Sequence, residues 1–271
     1  MTLCIAALAI AEGAAINETT TIFCTDTRVE THTTGAETGF KFRKVNNSWG
    51  VMFAGKVGRA EELIGMFETH LPEESLEDSA VMDALRIPPQ NFKKILASEY
   101  IANMTGLPFD DFHLRGSSAL PPSLFENLSN DVARIEIGCQ LILAPIPSSG
   151  HLYSVDIDGS VNIHQHFCTI GTGSSNAEAW LYYQAQNRFL NLQHSIVHLL
   201  EAKRFSENAP GVGKKTDLYW ISHDLKTHSI FNEEKLEESI WRRYGPRSTR
   251  KTKIKLEEID DPPDWKDIGR G

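Results

Sequence analysis

Met1-Thr2-Leu3-Cys4-Ile5-Ala6-Ala7-Leu8-Ala9-Ile10 opens the chain, and the reading of that run decides the fold. A hydroxyl residue stands directly behind the first methionine, and an apolar run starts at once. Most chains begin instead with a polar, poorly ordered end. The run predicts a buried strand over Thr2–Ile10. Removal of Met1 would place a free α-amine and a hydroxyl on the same residue, Thr2. An α-amine titrates near pH ~8, so it can act as a base for its own hydroxyl close to neutral pH. Taken alone, a Met-Thr start is common and carries little weight.

Outward from that strand, Thr19–Thr25 is dense in β-branched residues and follows a turn-rich Glu12-Gly13 region. Gly39–Val45 and Trp49–Phe53 flank Asn46-Asn47-Ser48, a hairpin signal. After Ala54-Gly55 the apolar period changes. Ala60, Leu63, Ile64, Phe67 and Leu71 recur at three and four, as on one helical face. A second helix is predicted near Asn91–Met104, behind Pro88-Pro89, with Phe92, Ile95, Leu96, Tyr100 and Ile101 turned inward. Gly106 to Asn130 is rich in turn formers and reads as a long excursion or lid-like loop. Strands resume at Ile135–Ala144, His151–Val155 and Val161–Phe167, the last two joined across Asp158-Gly159. Gly171-Thr172-Gly173-Ser174 leads into a helix starting near Asn176, and another helix covers Leu192–Phe205. A strand at Thr216–Ser222 and a helical segment at Glu233–Tyr244 follow.

Strands, two helices, strands, two helices and a strand suit two stacked antiparallel sheets, each covered by a helical layer. That is an α+β arrangement; a doubly wound fold would alternate strand and helix singly. The length of 271 residues fits one large domain or at most two. The expected division is a single domain over 1–244 and a charged C-terminal tail over 245–271. The net charge of −9 argues against a nucleic-acid partner, which calls for a basic face. The basic cluster Arg242 to Lys255 is followed by Glu257-Glu258-Ile259-Asp260-Asp261 and Pro262-Pro263, a solvated tail or docking arm. Cys4, Cys24, Cys139 and Cys168 lie far apart in apolar contexts and read as reduced core cysteines. No apolar run approaches the ~20 residues of a membrane span. The N-terminal run lacks the basic flank of a signal peptide. A cytoplasmic location is the expectation.

Several residues could carry chemistry. Asp26-Thr27-Arg28 closes the second strand, where side chains turn outward. Strict alternation puts Lys44 on the apolar face with Phe40 and Phe42, opposite Lys41 and Arg43. An inward lysine needs an acidic partner, and Asp26 is the natural one. On spacing alone, a structural ion pair is the simpler reading. Gly55, ending a strand before a helix, either makes a plain turn or presents N–H groups to a developing oxyanion, and Gly58 allows the same two readings. Gly171-Thr172-Gly173-Ser174 is a tight turn that caps a helix or places a hydroxyl near a site. It lacks the lysine of a phosphate loop. The pairs His194/His198 and His164/His166 lack the companions of a metal site, so no metal and no cofactor is expected.

Together these pieces resemble the proteasome β-subunit family. The resemblance is to bacterial proteasome-like proteins whose chains begin Met-Thr and carry no long propeptide. It covers Thr2–Ser222 and rests on Thr2 before the first strand, Asp26-Thr27-Arg28 after the second, Lys44-Val45 on the third, Ala54-Gly55 before the first long helix and Gly171-Thr172-Gly173-Ser174 before the third. Leu152-Tyr153-Ser154-Val155-Asp156 with Asp158-Gly159-Ser160 matches the family's central hairpin. The resemblance implies a four-layer αββα sandwich and an N-terminal-nucleophile hydrolase that cleaves peptide bonds within a homo-oligomeric ring or stack. By that analogy Thr2 Oγ1 attacks, its α-amine moves the proton, Gly55 N–H holds the oxyanion, and Lys44, oriented by Asp26, keeps the site electropositive. Thr172 stands where the family usually has serine. Peptides or unfolded proteins are the implied substrates; no ATP-dependent unfoldase partner is identified. The family's Asp-x-x-Ser-Gly is absent, and Asn208-Ala209-Pro210-Gly211-Val212-Gly213-Lys214 stands there instead. A non-catalytic, ring- or filament-forming subunit is therefore the competing reading.

Overall fold

A computed structural model describes residues 2–10, 19–27, 29–30, 35–36, 41–46, 48–72, 78–146, 150–221 and 227–231. Met1, Arg28, Asn47, the segment Glu233–Tyr244 and the 245–271 tail lie outside the described residues. Strands β1 (Leu3–Ile10) and β2 (Thr19–Asp26) are followed by the short pair β3 (Val29–Glu30) and β4 (Gly35–Ala36). Next come β5 (Phe42–Val45), β6 (Trp49–Gly55) and helices α1 (Val57–Glu68), α2 (Asp78–Thr105), α3 (Phe109–Ala119) and α4 (Pro122–Ala133). Strands β7 (Cys139–Pro145), β8 (Leu152–Val155), β9 (Val161–His164) and β10 (Phe167–Gly171) lead to α5 (Ser174–Tyr183) and α6 (Leu192–Ser206). Strands β11 (Thr216–Ile221) and β12 (Thr227–Phe231) come last.

Two five-stranded antiparallel sheets result, ordered β10-β1-β2-β11-β12 and β5-β6-β7-β8-β9. Each residue from Leu3 to Ala9 serves one of two cores, which is why the run is apolar without alternation. Leu3, Ile5, Ala7 and Ala9 meet Leu181, Ile196 and Leu199 of α5 and α6. Cys4, Ala6 and Leu8 face the second sheet, against Met52, Ala54, Ile142 and Ala144. The outer face of that second sheet, through Val51, Phe53, Leu141 and Leu143, packs on Leu63 and Phe67 of α1 and Leu85 and Phe92 of α2. The layers are thus helix, sheet, sheet, helix, as expected. Small residues keep the sheets close: a Cβ on Gly50 would lie 2.6 Å from the Phe23 ring. Phe42 sits 4.9 Å from Phe23 and stacks on Tyr219 at 4.6 Å between ring centres.

Three expectations are corrected. Helix α2 runs through Pro88 and Pro89 instead of starting behind them. The prolines remove the i+4 donors of the Ala84 and Leu85 carbonyls, but Val81, Leu85 and Phe92 bury one continuous face on both sides of them. The region read as a loop or lid is the helix pair α3–α4. Its prolines are helix-start signals: Pro108 and Pro121 are the caps and Pro122 the first residue of α4. Ile101, Phe112 and Leu128 form a satellite core there, and Gly116 admits the Phe125 ring 2.9 Å from where its Cβ would be. Finally, Val161–Phe167 is not one strand. The chain leaves β9 and enters β10 in the other sheet, which ties the two sheets covalently.

Candidate active site

The antiparallel register of β1 and β2 sets Cys4 opposite Thr25, so the start of β1 meets the end of β2. Asp26, fully buried, therefore lies beside the first described residues of the chain. Its Oδ1 accepts from Thr2 Oγ1 at 2.6 Å and from the Leu3 N–H at 2.7 Å. A lysine from just ahead of the edge strand of the other sheet completes the cluster. Lys41, one residue ahead of β5, donates from Nζ to Asp26 Oδ1 at 2.7 Å and also to Thr2 Oγ1. The Gly213 N–H occupies Asp26 Oδ2 at 2.8 Å. Thr2, Asp26 and Lys41 are all buried, with side-chain exposures of 4% for Lys41 and 0% for Asp26 in their ion pair. Out of water, the pair gains from low local polarity only because its lone pairs are so fully used.

The lysine expected at this site was Lys44, and that is corrected: Lys44 is exposed on β5, beside exposed Arg43. The alternation argument fails because Lys41 precedes the strand, where period two no longer governs which way a side chain points, and because β5 is a sheet edge. The sequence signal for Lys41 is its apolar setting, Phe40-Lys41-Phe42, where the strand begins. Gly213 lies in the segment that replaces the missing Asp-x-x-Ser-Gly. Only its position pointed to the site.

Gly55 ends β6 with φ +106°, and a Cβ there would lie 2.7 Å from the Gly138 carbonyl oxygen. Close approach of the two strands thus demands glycine whatever else the residue does. Its strand reaches the site, since the Phe53 carbonyl accepts from Cys4 Sγ at 3.3 Å. Gly58 is exposed in the first turn of α1. Thr172 is exposed in the turn after β10. The residue before it, Gly171, pairs with Leu3 and has φ +93°. A Cβ on Gly171 would collide with the Thr2 carbonyl oxygen. The Gly171 N–H donates to Gln140 Oε1 at 3.1 Å, and Gln140 Nε2 donates to Asp156 Oδ1 at 2.6 Å, fixing the turn from the opposite sheet.

Cys4 is the other nucleophile type at this end of the sheet. Burial pushes its thiol up to about 12, against the opposing pull of Lys41, and its sulfur is already engaged with Thr25 and Phe53. It is therefore an inert core thiol. Among the described residues, no group of three or more His, Cys, Asp and Glu side chains is placed to hold a metal ion. No described helix is long and apolar enough to cross a membrane.

The αββα sandwich is proteasome-like in its fold, and solved structures bear that out. Anbu (ancestral β-subunit) from Yersinia bercovieri is 13% identical, covering 90% of this chain and 93% of its own, with a TM-score of 0.57. The helical assembly of the Anbu complex from Pseudomonas aeruginosa gives 14% identity, 90% and 92% coverage and a TM-score of 0.57. Eukaryotic HslV from Trypanosoma brucei gives 16% identity, 81% and 99% coverage and a TM-score of 0.52. At these identities the likeness is one of fold. No family model matches the sequence, and no curated protein matches it.

Proposed function

We propose that the protein is a proteasome-like threonine peptidase or amidohydrolase whose nucleophile is Thr2 once Met1 has been removed. The observation that carries this reading is the placement of Thr2 Oγ1 against both Asp26 Oδ1 and Lys41 Nζ in a buried site. The freed α-amine takes the proton of Thr2 Oγ1 as the oxygen bonds to the substrate carbonyl carbon. The tetrahedral oxyanion is held by N–H donors, with Gly55 the expected one. Collapse breaks the C–N bond, and the α-amine passes its proton to the leaving amine. Water then hydrolyses the Thr2 ester, its proton moving through the same amine, and the carboxylic acid leaves. Lys41, not Lys44, supplies the positive charge that favours the neutral amine, and Asp26 fixes Lys41 and Thr2 together. Thr172, on the turn beside Thr2, is proposed as the hydroxyl at the rim.

Peptides or unfolded proteins are the proposed substrates, in a cytoplasmic homo-oligomer. The Anbu structure from Pseudomonas aeruginosa, a helical assembly, supports self-association as the way such a site becomes enclosed. The competing reading, a non-catalytic ring or filament subunit, is favoured by the exposed position of Thr172 and by the replaced Asp-x-x-Ser-Gly. Hydrolysis of small peptides that disappears in a Thr2→Ala variant supports the peptidase; hydrolysis that survives it removes Thr2 as nucleophile.

A further inference from the structure

We propose that Lys203 is a positioning residue for Asp26, acting through the backbone of the loop between α6 and β11; this rests on the reading of Thr2 as nucleophile. Lys203 lies in the last turn of α6, and its side chain is fully buried, although nothing in the reaction above uses it. Nζ donates to Glu207 Oε1 at 2.6 Å, one turn further on, and to the Lys214 carbonyl oxygen. An i,i+4 pair of this kind forms equally well in water, so the pair with Glu207 does not explain the burial. The bond to the loop carbonyl does.

That loop is bound to the site at two adjacent points. The Gly213 N–H donates to Asp26 Oδ2 at 2.8 Å, and the Thr27 N–H donates to the Lys215 carbonyl at 3.3 Å, extending the β2–β11 ladder. Val212 seats against the Gly171–Ser174 turn, where a Cβ on Gly173 would lie 2.8 Å from Val212 Cγ2. The side of Asp26 facing Thr2 carries three donors on Oδ1, from Thr2, Leu3 and Lys41. The Gly213 bond to Oδ2 therefore sets the rotation of the carboxylate plane. Lys203, by holding the next carbonyl, fixes where Gly213 presents its N–H. The loop that stands in place of Asp-x-x-Ser-Gly thus contributes a backbone donor to Asp26, with Lys203 as its anchor.

The test compares full-chain protein lacking Met1 with its Lys203→Met and Gly213→Pro variants. It measures small-peptide hydrolysis and hydrogen–deuterium exchange over residues 208–216. Lys203→Met is expected to lower kcat by about tenfold or more with KM held within about twofold, the pattern of lost transition-state positioning. Exchange over 208–216 should quicken by about tenfold or more. Gly213→Pro deletes the donor without touching α6 and should reproduce the kcat loss. A Lys203→Met enzyme with unchanged kcat, or with unchanged exchange, overturns the proposal. If Lys203→Met does not fold, an unchanged kcat in Gly213→Pro overturns it. If the wild type hydrolyses nothing, the Thr2 reading fails, while exchange over 208–216 still decides the link between Lys203 and the loop.

Discussion

Asp26→Asn keeps the shape of the site and removes the charge on which it turns. Asp26 receives four donors, from Thr2, Leu3, Lys41 and Gly213. A carboxylate can satisfy all of them. An amide cannot: with its oxygen toward Lys41, its NH2 meets the Gly213 N–H, and when flipped it meets Lys41 and Thr2. The Lys41 ammonium is then buried without a counter-charge. Removing one partner of a buried pair costs about 3–5 kcal/mol. For a chain of this size each kcal/mol is about 2–4 °C, so the melting temperature should fall by about 6–20 °C. Urea unfolding at fixed protein concentration gives the free energy directly. Lys41→Met should also destabilise, but the double variant Asp26→Asn/Lys41→Met has no orphaned charge. Its loss should therefore fall short of the sum of the single losses by about 2 kcal/mol. An Asp26→Asn protein within about 1 kcal/mol of wild type, or strictly additive losses, would refute the argument that this pair is buried and mutually dependent.

Gly171→Ala, which forces a Cβ into the Thr2 carbonyl at φ +93°, should cost about 2–4 kcal/mol and abolish hydrolysis, checked by unfolding and peptide assay. Gly65→Ala, mid-helix in α1 with open space around its Cβ position, should raise stability by about 0.5–1 kcal/mol in the same unfolding assay. His198 hydrogen-bonds Gln186 at 2.9 Å, and burial, then the nearby charge of His194, pushes it down to about 4 from an ordinary value of 6.5. Above pH 6.5 neither folded nor unfolded chain protonates it. As pH falls, the unfolded chain takes the proton first, so stability drops between about 6.5 and 4 and stays lost below. Allowing for its partial exposure, the drop is about 2 kcal/mol. The pH profile of His198→Gln should be flatter by that amount over this window.

Much of the sandwich was legible because burial on two faces leaves strong marks. The run Leu3–Ala9 is apolar throughout since both of its faces are covered. The shift to spacings of three and four at Ala60–Leu71 marks α1 where one face turns to a sheet. What was not legible depends on contacts distant in sequence. Nothing local says that Pro88-Pro89 is carried inside a helix; the compensation comes from the burial of Val81, Leu85 and Phe92 against the second sheet. Nor does Val161–Phe167 reveal that the chain changes sheets midway. In the site, Asp26 was legible as the partner of a lysine, while its contact with Thr2 comes from the register that sets the start of β1 beside the end of β2. The choice of Lys41 over Lys44 turns on where β5 begins: at Phe42, past Lys41, and not at Gly39. The Gly213 donor comes from backbone, which carries no residue signature.

Intact-mass analysis of the purified protein after exposure to an N-terminal-threonine-directed electrophile tests the central claim most directly. A free Thr2 amine beside Asp26 and Lys41 predicts a chain without Met1 that takes up one equivalent of the reagent, with no uptake in Thr2→Ala. A chain that keeps Met1 and takes up none would contradict it.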